Sequence, residues 1–207
     1  MSRMHEEEAV GSSALRAAQR GDEEGFRQLY RYMQPRLLRY LRLLAADDAE
    51  DVASETWLHI SQGLSKFRGD LDDFRGWATT IARNRAVDQV RRSGRRPQSS
   101  EPFEELARLP AGIDTAEAAL ETVGTDSALA LIAELPPDQG EAVLLRVVIG
   151  LDAKSAAQVL GKRPGAVRVA AHRGLNRLAK LLAERDASAD RGQRVTLPDA
   201  RTLRKVR

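Results

Sequence analysis

Apolar residues recur at steps of three and four along most of the chain, and no stretch alternates for long as an exposed strand would. This pattern predicts helices and an all-α fold. A first helical stretch covers about 13–31, interrupted at Gly21-Asp22, where the glycine suits a helix end and the aspartate a new N-cap. Phe26, Leu29 and Tyr30 follow at helical spacing. "QPRLLRYLRLL" reads as a further helix, with Pro35 in its first turn and Leu37, Leu38, Leu41 and Leu44 as its apolar stripe. "DDAEDVASETWLHISQGLSKF" is the next: Asp47 or Asp48 caps it, Val52, Leu58 and Ile60 supply burial, and Trp57 lies beside them. "RGDLDD" reads as a loop, and "DFRGWATTIARNRAVDQVRR", residues 73–92, as the helix after it.

Across 93–125 the periodicity fades while Pro, Ser, Gly and Glu rise, the mark of a linker with a short helix near 114–123. So long a segment without firm pattern argues for two domains. Beyond it, "DSALALIAEL" and "PPDQGEAVLLRVVIG" predict two helices, the second opened by Pro136-Pro137. "DAKSAAQVLG" predicts a short helix ending at Gly161, and "KRPGAVRVAAHRGLNRLAKLLAERD" a longer, basic one. Val167, Ala171, Leu175 and Leu178 fall on one side of it and are expected to face the domain. The expected organisation is a helical domain at 13–96, a flexible linker at 97–125, a helix-turn-helix domain at 126–184, and a basic, disordered tail at 185–207.

Charge changes this picture more than composition does. The net charge is only +3, but it is unevenly spread. Asp47 to Trp57 holds five acids and no Lys or Arg, whereas residues 83–96 hold six arginines against one Asp, and 162–185 is also basic. Blocks of opposite sign imply two kinds of partner surface, one of them polyanionic. The chain has no cysteine, which excludes a disulfide scaffold, a thiolate zinc site and a Cys nucleophile. It has no apolar run long enough for a membrane span, and "MSRMHEEEAV" lacks the apolar core of a signal peptide, so a soluble, cytoplasmic protein is expected.

The candidate chemistry is that of nucleic-acid binding. A short helix, a glycine turn and a longer basic helix have the order of a helix-turn-helix, whose second helix enters the major groove. Lys162, Arg163, Arg168 and Arg173 suit phosphates, arginine also reads guanine edges, and His172 comes off the same helix. In residues 73–92, Ala78, Ala82, Ala86 and Val90 form an i,i+4 row that lets another helix come close. Trp77, Asn84 and Arg91 lie on the other side. An amide there suits a base edge, and Arg83, Arg85, Arg91 and Arg92 suit a sugar-phosphate backbone. Such a helix, preceded by Phe74 and Trp77, has the groups needed to hold unstacked bases. Phe74 is nonetheless expected to be mostly buried.

These residues carry a resemblance. "DAEDVASETWLHI…KFRGDLDDFRGWATTIARNRAVDQVRR" closely resembles region 2 of bacterial RNA polymerase sigma factors of the extracytoplasmic-function (ECF) group, and "ELPPDQGEAVLLRVVIGLDAKSAAQVLGKRPGAVRVAAHRGLNRLAKLL" resembles their region 4. The likeness covers about 17–92 and 126–182. It implies a transcription initiation factor without chemistry or cofactor of its own, which binds core RNA polymerase, directs it to promoters and promotes opening. It implies that Asp48, Glu50, Asp51, Glu55 and Thr56 dock on the clamp of the largest polymerase subunit. It implies that Phe74, Trp77, Arg83, Asn84, Arg85, Asp88, Arg91 and Arg92 serve the minus-10 element, with Asn84 on a flipped base. Lys162, Arg163, Arg168, His172 and Arg173 would serve the minus-35 element. The flap of the second-largest subunit and an anti-sigma factor are the further partners implied. Two departures stand out. Val169-Ala170 replaces a Ser-Arg pair common in the group, and Thr79-Thr80-Ile81 stands where housekeeping members carry a melting aromatic pair.

Two other classes compete. A helix-turn-helix regulator bound to operator DNA without polymerase would have a similar second domain, but no use for the acidic helix. A metal-dependent nuclease would draw on Asp47, Asp51 and Glu55, yet no His partner or second acidic segment is placed to help.

Overall fold

The computed structural model describes residues 2–92 and 127–194, and the side chains of 6–92 and 127–185. Every described element is helical. The linker with its short helix at 114–123, the start of the second domain, and the end of the tail lie outside the described residues.

Helix α1 (Ser2–Gln19) begins well before the expected residue 13. It lays Ala14, Leu15 and Ala18 on α2, and Gly21, at φ +86, ends the turn that follows. Asp22 then caps α2 (Glu23–Ala45), its carboxylate accepting from the Gly25 N–H. The two expected helices on either side of Pro35 are one helix, with Pro35 inside it. An interior proline costs about 3 kcal/mol. Against it stand Leu29, Met33, Leu37, Tyr40 and Leu41, all fully buried. Each such side chain contributes about 1.5–3 kcal/mol, so the unbroken stripe outweighs the missing N–H.

A tight turn at Ala46–Asp48 leads into α3 (Ala49–Gly63). Asp48 occupies the N-cap position but makes no capping bond; its carboxylate instead accepts from Gln89 Nε2 at 3.4 Å. The buried face of α3 is Val52, Ala53, Thr56, Trp57 and Ile60. Leu58, expected inside, is 61% exposed because it follows that face by one position. Helix α4 (Leu71–Arg92) starts inside the expected loop. Asp73 N–H donates to Asp70 Oδ1 at 2.9 Å and Asp70 N–H to Asp73 Oδ2 at 3.2 Å, a reciprocal cap that sets the start there. Ala78, Ala82 and Ala86 are fully buried, as the alanine row requires, and α2, α3 and α4 pack together.

The C-terminal part opens with α5 (127–133) and α6 (Pro137–Val143), which runs into a π-helical segment, Leu144–Val148. Helix α7 (Ala153–Leu160) is capped by Asp152 and closed by Gly161 in the left-handed conformation, φ +62. Helix α8 (Pro164–Arg194) begins at Pro164 and extends to Arg194, well into the segment expected to be disordered. Val167 and Ala171 are buried, but the inward stripe then steps to Gly174 and Leu178, leaving Leu175 45% exposed. At Gly174 a Cβ would lie 2.7 Å from Val143 Cγ2, so glycine is what lets α6 cross this close. One apolar core runs through both parts, with α4 packed on α7 and α2 on the π-helical segment.

Candidate nucleic-acid and partner interface

The face of α3 turned to solvent carries Glu50, Asp51 and Glu55, with Asp48 half-buried at its start. Acids in a first turn also suit the helix dipole. Thr56 points the other way. It is fully buried and its hydroxyl donates to the Val52 carbonyl at 2.7 Å, so it presents nothing to a partner. Glu55 lies 3.0 Å from Arg85 Nη1, and Arg85 Nη2 is 3.3 Å from His59 Nδ1. The acidic face therefore borders the basic helix directly.

On α4, Asn84 is exposed and makes no hydrogen bond to any described residue. Asp88, Arg91 and Arg92 are exposed beyond it, and Arg92 Nε donates to the Asp88 carbonyl at 3.4 Å. Phe74 is fully buried, edge-on to Phe67 at 5.9 Å, and has no face left for a base. Trp77 is half-buried and stacks on Phe67 at 5.0 Å, and Gly63 leaves room for its ring. Arg83 leaves the others. Its Nε donates to Glu141 Oε1 at 2.8 Å, in the C-terminal part.

Arg163, just ahead of α8, and Arg168, His172 and Arg173 in its first turns are exposed. Lys162 is paired with Asp138 at 2.7 Å, and His172 Nε2 lies 3.1 Å from Asn176 Nδ2. Val169 is 48% exposed among these cations and Ala170 is half-buried. Pro164 supplies the first-turn geometry.

One cluster escaped the sequence reading. The Tyr40 hydroxyl donates to Glu141 Oε1 at 2.8 Å, beside Arg83. Burial, then the Glu141 charge, pushes the Tyr40 phenol well above its ordinary value. Burial alone would lower the Arg83 value, but the bond and charge from Glu141 raise it. Nothing local in the sequence marks Tyr40 or Glu141, because the pairing joins residues 101 positions apart. Among the described residues, no group of three or more His, Asp or Glu side chains could hold a metal ion, and no helix is long and apolar enough to cross a membrane.

Comparison with known proteins gives the class. The family model described as Sigma-70 region 2 matches residues 29–96, and that described as Sigma-70, region 4 matches 125–178. The chain is 33% identical to the ECF RNA polymerase sigma factor ShbA of Streptomyces griseus, over 83% of this chain and 94% of that protein. It is 33% identical to ECF sigma factor SigD of Mycobacterium tuberculosis, over 76% and 77%. Among solved structures, sigma factor RpoE in complex with the anti-sigma factor NepR, from Bartonella quintana, aligns with TM-score 0.56 at 27% identity, over 76% of this chain and 96% of that one. CnrH, solved in complex with the cytosolic domain of CnrY, has a similar fold, with TM-score 0.54 at 23% identity over 84% and 98%. This chain belongs to the sigma-70 family, in its extracytoplasmic-function group. It is a transcription initiation factor rather than an operator-binding regulator.

Proposed function

We propose that this sigma factor divides its work among three faces. The exposed acids of α3, namely Glu50, Asp51 and Glu55 with Asp48 at the edge, bind core RNA polymerase at the clamp of its largest subunit. Carboxylates in this density suit a cationic groove, with bidentate pairing where arginines meet them. The solvent face of α4 holds the minus-10 strand: Asn84 reads a base edge, while Arg91 and Arg92 neutralise phosphates. Arg163, Arg168, His172 and Arg173 at the start of α8 bind the minus-35 duplex, with Lys162 beside them. Phe74 acts through packing, as the buried support under Trp77 and Phe67. The chain carries out no catalysis of its own and works in the cytoplasm, where the polymerase is. The flap of the second-largest subunit and an anti-sigma factor are the further partners proposed.

The observation that carries this reading is Asn84, an exposed amide without a hydrogen bond among the described residues, on a helix whose opposite side is packed alanine. Such an amide adds nothing to the fold, so its removal separates recognition from stability. Asn84→Ala is expected to weaken open-complex formation at a cognate promoter by about 1–3 kcal/mol, the scale of a good base contact, with unchanged melting temperature. Permanganate footprinting with reconstituted polymerase measures it. Opening at the wild-type level would remove Asn84 from the base-reading role.

A further inference from the structure

The outward side of α8 carries an apolar strip in the middle of its cations. At about 100° per residue, Val167, Ala171 and Gly174 set the buried side of the helix, and Val169 lies opposite its centre, 48% exposed. One turn ahead of Val169 stands Gly165, also exposed. A Cβ added at Gly165 would meet nothing within 4 Å, so the fold does not ask for a glycine there. Glycine also weakens a helix relative to alanine. What the missing side chain does allow is close approach of another molecule to the helix backbone.

The flanks of this strip are polar. Arg168 and His172 lie to one side of Val169 and Arg173 to the other. Arg168 and Arg173 make no hydrogen bond or ion pair with any described residue, which leaves both guanidiniums for phosphates. His172 Nε2 is 3.1 Å from Asn176 Nδ2. Ala170, half-buried, is turned away from the strip. Val169 differs from its neighbours in having neither donor nor acceptor.

A lone exposed valine is ordinary on a protein surface. On a helix that lies in a major groove it is not neutral, because almost everything on the groove floor is polar. Guanine shows N7 and O6 there, adenine N7 and an N6 donor, and cytosine an N4 donor. A valine laid on any of these displaces their water and gives no bond in return. The thymine C5-methyl is the one apolar group in that groove, and packing valine on it removes both from water.

We propose that Val169 is a specificity residue of the minus-35 contact: with the open backbone of Gly165 letting the duplex come close, it packs on a thymine C5-methyl, so this sigma factor selects thymine at one minus-35 position. This rests on the reading of α8 as the minus-35 helix and adds the base that the helix selects.

Uracil makes the test direct, since it keeps the O4 acceptor of thymine and lacks only the methyl. Holoenzyme reconstituted from purified core polymerase and the full chain selects duplexes from a promoter that it transcribes, randomised across the minus-35 region. Each selected thymine is then replaced by uracil in turn, and Kd is read by mobility shift. At one thymine, uracil is expected to raise Kd about fourfold, the worth of burying one methyl-sized group, and to leave it unchanged in Val169→Ser. A selected motif without thymine, thymines that uracil replaces at no cost, or an equal cost in Val169→Ser would overturn the proposal and leave the minus-35 reading standing. A selection without any shared motif would overturn both. If circular dichroism shows that Val169→Ser has lost helix, Val169→Gln decides by the same comparison, glutamine being the better helix former.

Discussion

Single residues divide here into those that fold the chain and those left over for partners. Asp152 is of the first kind. The Ser155 N–H donates to its Oδ1 at 2.7 Å, and that bond holds the carboxyl below its ordinary value. A depressed carboxylate stabilises the fold above its unfolded pKa, and the contribution is lost as pH falls through the folded value. Asp152→Ala is therefore expected to cost about 1 kcal/mol at neutral pH, with the difference from wild type closing in acid below the usual carboxylate range. Urea melts at the two pH values check this; an equal gap at both would rule out an ionised cap. Arg83 shows the limit of reading residues one at a time. Its place among arginines on a basic helix marks it for phosphate, and only the fold reveals Glu141 beside it.

At the scale of elements, periodicity was legible and exceptions to it were not. The alanine row of α4 and the Asp22 cap follow from spacing and side-chain chemistry alone. Pro35 reads as a helix start, because a local rule cannot weigh the buried stripe that carries α2 through it. Leu58 reads as core because any apolar residue near a helical period does, yet the register of α3 turns it to solvent. Leu175 reads as inward for a related reason, yet it is 45% exposed: the helix crossing is set by a residue with no side chain. At Gly174 an added methyl would meet Val143 Cγ2 at 2.7 Å and the Gln139 carbonyl at 3.2 Å. Alanine is the better helix former by about 1 kcal/mol, while overpacking costs about 1–3 kcal/mol. Gly174→Ala is therefore expected to lower the denaturation midpoint. A raised midpoint would mean that α6 and α8 do not cross this closely.

At the scale of the whole molecule, the sequence separates two domains more cleanly than the structure does. Composition over 93–125 speaks for independence, and nothing in it reports that α4 packs on α7 or that the core is continuous. Docking between domains depends on residues distant in sequence, so local pattern is silent on it. The exposed acidic face of α3 and the exposed cations of α4 and α8 were legible because charge is written in the sequence and exposure follows from helical period. Thr56 is the counterexample: the register of α3 buries it, away from that exposed acidic face.

The most direct measurement is transcription in vitro from a promoter library, with purified core RNA polymerase and this chain as the sole added factor. Transcripts sharing a start-site motif are expected, and Glu50→Arg with Asp51→Arg should reduce them to the level of core enzyme alone while melting temperature holds. That pair tests the acidic face without disturbing the Glu55–Arg85 contact at 3.0 Å. Start sites no different from those of core enzyme alone, or full transcription by the double variant, would contradict the reading of α3 as the polymerase-binding face and α4 with α8 as the promoter-binding ones.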